Sequence, residues 1–158
     1  MQTTTLALLA LLAALPGTPL AAAAQSVKPL IDSQHYTFLA QNAQPLHGPI
    51  HYLTTDDFTL EVSKDQITSY LPYYGRDYVA PIDPTQDVLR FTSKKFSYTL
   101  KPGKKDGWTV LIKPQDNQEV QQLQFSISSD GYSSLQILFT NRDPITLNGV
   151  VLATENRK

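Results

Sequence analysis

Residues 122–139 read Gln122-Leu-Gln-Phe-Ser-Ile-Ser-Ser-Asp-Gly-Tyr-Ser-Ser-Leu-Gln-Ile-Leu-Phe139. Leu123, Phe125 and Ile127 alternate with Gln122, Gln124, Ser126 and Ser128, and Leu135, Ile137 and Phe139 repeat the rhythm. A period of two, apolar on one side and polar on the other, marks strands with one face in a core and the other in water, the habit of antiparallel sheets. A two-residue turn at Asp130-Gly131 would set Phe125 against Gln136, so it fails. A three-residue loop, Ser129-Asp130-Gly131 with the glycine left-handed, sets Phe125 against Leu135 and Leu123 against Ile137.

The same rhythm runs along the chain from residue 34. Tyr36, Phe38 and Ala40 carry it, then Phe58, Leu60 and Val62, then Ile67 and Leu71 with Ser69 between them. Leu89 and Phe91 follow, then Phe96, Tyr98 and Leu100, then Trp108, Val110 and Ile112, and last Ile145 and Leu147. A two-residue turn at Lys64-Asp65 matches Val62 to Ile67, and one at Ser93-Lys94 matches Phe91 to Phe96. The loop Lys101–Gly107, with Pro102-Gly103, sets Leu100 against Trp108. The expectation is an all-β fold: a single antiparallel β domain whose meander hairpins close into a barrel or a sandwich. Helix signals are confined to one short turn over Val27–Asp32, where Pro29 suits the first positions. Residues 41–57 and 72–87, with Pro45, Pro49, Pro72, Pro81 and Pro84, read as irregular. A transmembrane barrel shares the alternation, but the short strands and the polar end Glu155-Asn-Arg-Lys158 favour the water-facing reading.

The first segment stands apart. Residues 5–15 are Thr-Leu-Ala-Leu-Leu-Ala-Leu-Leu-Ala-Ala-Leu, broken by Pro16-Gly17 and followed by Ala21-Ala-Ala-Ala24. This is the pattern of a secretory signal peptide, and it is too short for a membrane-spanning helix. Residues 1–24 are read as that peptide, although the n-region lacks Lys and Arg, and residues 25–158 as the single domain. Neither a transmembrane span nor a thioether lipid anchor is expected in the mature chain. The expected location is the periplasm or the medium.

Charge and composition exclude several functions. Lys+Arg 13 against Asp+Glu 14 leaves a formal net charge of −1, without the basic footprint of a nucleic-acid binder. There is no cysteine, hence no disulfide, thiolate metal site or cysteine nucleophile. No Gly-x-Ser-x-Gly elbow, phosphate loop or paired carboxylate is present, and no cofactor is expected. His47-Gly-Pro-Ile-His51 has a helical ligand spacing, but Gly48-Pro49 opposes a helix and a zinc site needs three or four ligands. A hydrolase using His47 or His51 with Asp56 or Asp57 is the enzymatic alternative, and a purely structural envelope component is another. The pairs Lys94-Lys95 and Lys104-Lys105 read as solvated tips that discourage edge pairing.

One segment is dense in recognition chemistry. Tyr70-Leu-Pro-Tyr-Tyr-Gly-Arg-Asp-Tyr78 places four tyrosines, an arginine and an aspartate in a single run at a strand end. Tyr70, Tyr73, Tyr74, Arg76, Asp77 and Tyr78 are the candidate ligand-binding residues, flat aromatic faces beside a five-donor fork for an anion or carboxylate. The rival reading is architectural, with the tyrosines covering the mouth of a β core. Ser69–Tyr78, with Ala80-Pro81 behind it, resembles the signature of a bacterial envelope family, domain of unknown function 4251. Phe38-Leu-Ala40, Pro45, Leu60-Glu-Val62, Asp65, Gly131-Tyr132 to Asn141-Arg142, and Ile145 to Gly149 fit in order. The resemblance implies an exported Gram-negative protein and lends no activity, substrate or catalytic residue. Members often carry a lipoprotein cysteine, and this chain has none. The leading expectation is a non-enzymatic domain that binds a ligand or an envelope protein near residues 70–78.

Overall fold

The computed structural model describes residues 26–76 and 88–154, and of Val88 the backbone alone. The expected signal peptide at residues 1–24, Asp77, Tyr78 and the prolines at 81 and 84 lie outside the described residues. The described residues form one short helix and ten strands: α1 (Val27–Ser33), β1 (Tyr36–Pro45), β2 (His51–Tyr52), β3 (Thr59–Val62), β4 (Ile67–Pro72), β5 (Val88–Ser93), β6 (Phe96–Pro102), β7 (Trp108–Pro114), β8 (Val120–Ile127), β9 (Tyr132–Phe139) and β10 (Ile145–Leu152). All pairings are antiparallel, in the order β5-β4-β3-β1-β10-β9-β8-β7-β6, with β2 paired to β1. Apart from β2, sequence neighbours are sheet neighbours except at one place. The first and last strands, β1 and β10, pair with each other, while β5 and β6 are the two edges. The molecule is therefore an up-and-down near-barrel with an open seam between β5 and β6.

The alternation of the sequence becomes the two sides of this wall. Phe38, Leu60, Ile67, Leu71, Ile112, Leu123, Phe125, Leu135, Ile137 and Leu147 are fully buried inside. Phe125 meets Phe38 edge-to-face at 5.6 Å and Tyr36 at 6.1 Å, which ties β8 to β1 across the interior. Most apolar side chains of the wall point in and most polar ones out, the reverse of a membrane barrel, whose apolar face meets lipid. Among the described residues no helix is long and apolar enough to cross a membrane.

α1 lies against one end of the interior. Val27 and Ile31, one turn apart, are buried. Gln34 ends the helix in the left-handed region at φ 52°, and the Gln34 and His35 amides donate to the Ile31 and Leu30 carbonyls at 3.1 Å. The Tyr98 hydroxyl of β6 donates to the Ile31 carbonyl at 3.2 Å, so the helix is tied to an edge strand. Burial, with Tyr98 beside it, holds the Tyr36 hydroxyl well above its ordinary pKa of 10.0.

Two hairpins form in the expected register. Val62 faces Ile67, with the Ser63 amide donating to the Gln66 carbonyl at 2.9 Å. Phe125 faces Leu135 and Leu123 faces Ile137, and Gly131 takes φ 92°, a conformation that favours glycine. The Lys101–Gly107 loop differs by two residues: Leu100 faces Val110, and Pro102 faces Trp108. A shift of two preserves the face of every side chain, so parity cannot detect it.

The expected Phe91–Phe96 hairpin is corrected. β5 pairs with β4 and β6 with β7, so the turn between them joins the two sheet edges instead of a pair. Asp116, in the β7–β8 connection, holds that turn. Its carboxylate accepts from the Ser93 hydroxyl at 2.5 Å and from the Lys94 and Lys95 amides at 2.8 and 3.1 Å. The Gln115 amide donates to the Lys95 carbonyl at 2.7 Å. Lys94 and Lys95 are exposed at the seam, and exposed Lys101 sits on edge strand β6, charges that oppose pairing with another chain.

Residues 41–57 are also less irregular than expected. β1 runs on to Pro45 through a bulge: Ala40 faces Gly149, Asn42 faces Asn148, and Gln41 is the extra residue. The bulge switches the buried parity from Tyr36, Phe38 and Ala40 to Ala43 and Pro45, which breaks the period of two. A second bulge between Val120 and Gln122 does the same in β8. At the first bulge the backbones come so close that a Cβ on Gly149 would stand 1.9 Å from the Leu39 carbonyl oxygen.

Two outcomes follow for stability. Gly149→Ala should destabilise the fold by about 1–3 kcal/mol, the usual cost of overpacking, read as a lower urea midpoint; an unchanged midpoint would show that the β1–β10 approach is loose. Hydrogen bonds from Ser93, Lys94 and Lys95 hold the Asp116 carboxyl below its ordinary 3.8. Its stabilising effect is complete above pH 3.8 and is lost as pH falls through the lower folded value. Asp116→Asn should therefore lower the melting temperature at neutral pH and shrink its fall on acidification; parallel melting profiles for the two proteins would remove Asp116 from the corner's energetics.

Candidate functional site

The structure separates the tyrosines of the 70–78 run. Strand parity carries Ile67, Ser69 and Leu71 inward, and Tyr73 continues it just past the end of β4, only 5% exposed. Its ring meets Phe139 edge-to-face at 5.2 Å, with the Arg142 guanidinium 5.2 Å above it. Its hydroxyl proton is shared between the carbonyls of Asp143 at 3.0 Å and Arg76 at 3.1 Å. The Asp143 amide donates to the Arg76 carbonyl at 2.9 Å. Tyr73 thus locks the chain leaving β4 to the β9–β10 connection, as the architectural reading requires.

Tyr70 faces outward. It stacks on Phe58 at 5.8 Å and lies under the Arg90 guanidinium at 4.8 Å. Arg90 is its cross-strand partner in β5, so the contact follows from the register. Tyr74 and Arg76 are exposed. Tyr74 stacks flat on His51 at 4.0 Å with the planes 10° apart, which joins the segment after β4 to the β1–β2 hairpin. That hairpin exposes Leu46, Ile50 and Tyr52, the last at 78%. Sequence reasoning passed over these three as loop residues. Their exposure depends on β2 pairing only with β1, which no local pattern announces.

The structure does not join His47 or His51 to Asp56 or Asp57. Among the described residues neither histidine forms a hydrogen bond or ion pair with either aspartate. His51 is engaged through its ring face by Tyr74. Among the described residues no three His, Asp or Glu come together to hold a metal, and the sequence has no cysteine.

A second feature lies on the outer wall. An open groove of about 390 Å³ runs over the β1 bulge and β10 to β9, between Gln41, Asn42, Tyr132, Ser134 and Asn148, with Gly149 in its floor. The Asn148 amide donates to the Asn42 amide oxygen at 3.0 Å. Ser133 is buried, and its hydroxyl has no hydrogen-bond partner among the described residues.

These features define a small β domain with an apolar interior and an exposed aromatic hairpin. The chain belongs to the family described as "Domain of unknown function (DUF4251)", whose model matches residues 20–151. It is similar in fold to the crystal structure of a DUF4251 family protein from Bacteroides eggerthii DSM 20697, at 15% identity and a TM-score of 0.61. That match covers 84% of this chain and 89% of the other. No curated protein matches the chain.

The two neighbouring tyrosines should respond oppositely to substitution. Tyr73→Phe removes a buried hydroxyl from two carbonyls and should cost about 1–3 kcal/mol. Tyr74→Ala, at an exposed position, should stay within about 0.5 kcal/mol of the parent. Equal losses in urea unfolding would contradict the division into a structural and an exposed tyrosine.

Proposed function

We propose that this chain is exported, loses residues 1–24, and acts without catalysis as a binding module for another envelope protein. The observation that carries this reading is the His51–Tyr74 stack. It fixes an exposed aromatic ring against a hairpin that already exposes Leu46, Ile50 and Tyr52, with Arg76 two residues away. Tyrosine and arginine among aliphatic neighbours are the side chains that dominate protein interfaces once desolvated. Tyr74 is held by its neighbour before any partner arrives, so little rotamer freedom remains to be lost on binding. These side chains project from the surface, which suits a partner that brings its own pocket. The 70–78 run therefore contributes Tyr74 and Arg76 to recognition, Tyr70 to the outer wall and Tyr73 to the core. Asp77 and Tyr78, outside the described residues, stay in the proposed site by their place in the run. The apolar leader and the absence of cysteine favour release into the periplasm or the medium over lipid anchoring.

Site-specific photo-crosslinking in the producing organism tests this. A photoreactive phenylalanine at position 52 or 74 should give a discrete adduct with one other protein, and Arg76→Ala should reduce its yield. The same probe at position 61, on the outward side of β3, should give none. Absence of an adduct from 52 and 74, or equal adducts from all three positions, would refute the proposed interface.

A further inference from the structure

Four neighbouring strands, β1, β10, β9 and β8, contain no Asp, Glu, Lys, Arg or His along their whole length. The remaining wall does carry charge, with Glu61 on β3, Arg90 on β5, Lys101 on β6 and Lys113 on β7. The registers line up what faces out from the uncharged strands. Asn42 lies opposite Asn148, Asn148 opposite Ser134, and Ser134 opposite Ser126. The next row is Gln44, Thr146, Gln136 and Gln124. Two parallel rows of amides and hydroxyls therefore cross this face, spanning about 15 Å at about 4.8 Å per strand. The groove over Gln41, Asn42 and Asn148 runs along the first row, and Tyr132 stands at its side, 62% exposed.

We propose that this face binds a neutral polysaccharide. Each carboxamide offers an acceptor and two donors in one plane, and each hydroxyl is both donor and acceptor, which matches the mixed hydrogen bonding of sugar hydroxyls. The Asn42–Asn148 bond uses one donor and one acceptor, and leaves the Asn42 amide nitrogen and the Asn148 amide oxygen without a partner among the described residues. The exposed Tyr132 ring supplies a flat apolar surface for the C–H face of a pyranose, with little rotamer entropy to lose. The absence of charge selects the ligand's charge. An anionic glycan or a nucleic acid would be desolvated here against no cation. The open groove and the length of the rows fit a chain of several sugar units. This face is separate from the proposed protein interface, although Tyr52, opposite Asn42, borders both.

Native affinity electrophoresis of the exported protein through gels containing dextran, laminarin, mannan or arabinoxylan tests the proposal, with polygalacturonate and heparin as anionic controls. At least one neutral gel should retard the protein and the anionic gels should not. Tyr132→Ala and Gln136→Ala, both at exposed positions and checked for unchanged melting, should each weaken retardation about tenfold or more, a clear affinity loss. Tyr74→Ala with Arg76→Ala should leave retardation intact even where it abolishes crosslinking, so the two sites fail separately. Retardation by none of the neutral gels, by the anionic gels alone, or equally by Tyr132→Ala and the parent would overturn the proposal. So would a dimer in gel filtration that Tyr132→Arg dissolves, since the face would then be an interface between two copies.

Discussion

Thr37 lies opposite Leu152 and Pro45 opposite Ile145, so the chain's first strand is zipped along its last. This ladder turns a meander into a nearly closed wall, because it joins two hairpin series that would otherwise end in free edges. It requires the bulge at Gln41, which shifts the buried parity of β1 so that Ala43 and Pro45 stay inward, and it requires a residue without a side chain at position 149, where the Leu39 carbonyl presses close. With β1 and β10 joined, the break in the ring falls between β5 and β6. The short Ser93–Phe96 connection then has to bridge two edges, and Asp116 supplies the acceptors that its backbone amides would otherwise lack.

The same closure sorts the surface by chemistry. The two ends of the chain bring β1 and β10 together beside β9 and β8, and these four adjacent strands carry no charge; β4, on the other side of β3, is the further uncharged strand among the described residues. Charged residues fall on the strands toward the seam, where they also guard the unpaired edges. The outer wall thus has a neutral, hydrogen-bonding sector centred on the β1 bulge. At the border of that sector the β1–β2 hairpin meets the segment after β4 through the His51–Tyr74 stack. Interior and surface divide between two neighbours: Tyr73 is given to the core, Tyr74 to the surface.

Much of this was legible in the residues. Nine strands follow from alternation alone, and two hairpin registers follow from matching faces, since one-residue slips would turn Phe125 or Val62 to water. The misses have physical causes. Parity compares faces and does not ask whether two strands lie side by side, so a Phe91–Phe96 pair was admissible although closure elsewhere forbids it. The bulge reversed the rhythm at Gln41 and hid the second half of β1. For the site, Tyr73 shares the parity of Ile67, Ser69 and Leu71, and that shared parity is by itself a mark of an inward side chain. His51 against Tyr74 is a long-range contact with no local signature. The uncharged rows were visible in part as Gln124 and Ser126, but their continuation through Asn148 and Asn42 depends on the strand order.

Residue-resolved amide hydrogen exchange tests the closure most directly. A wall zipped between β1 and β10 and open between β5 and β6 predicts slow exchange along both sides of β10, and protection of only alternate amides in β5 and β6, those bonded to β4 and β7. Full protection along both β5 and β6, together with fast exchange of the β10 amides that face β1, would contradict the account, because the ring would then be closed at the seam and open where the chain's ends are held to meet.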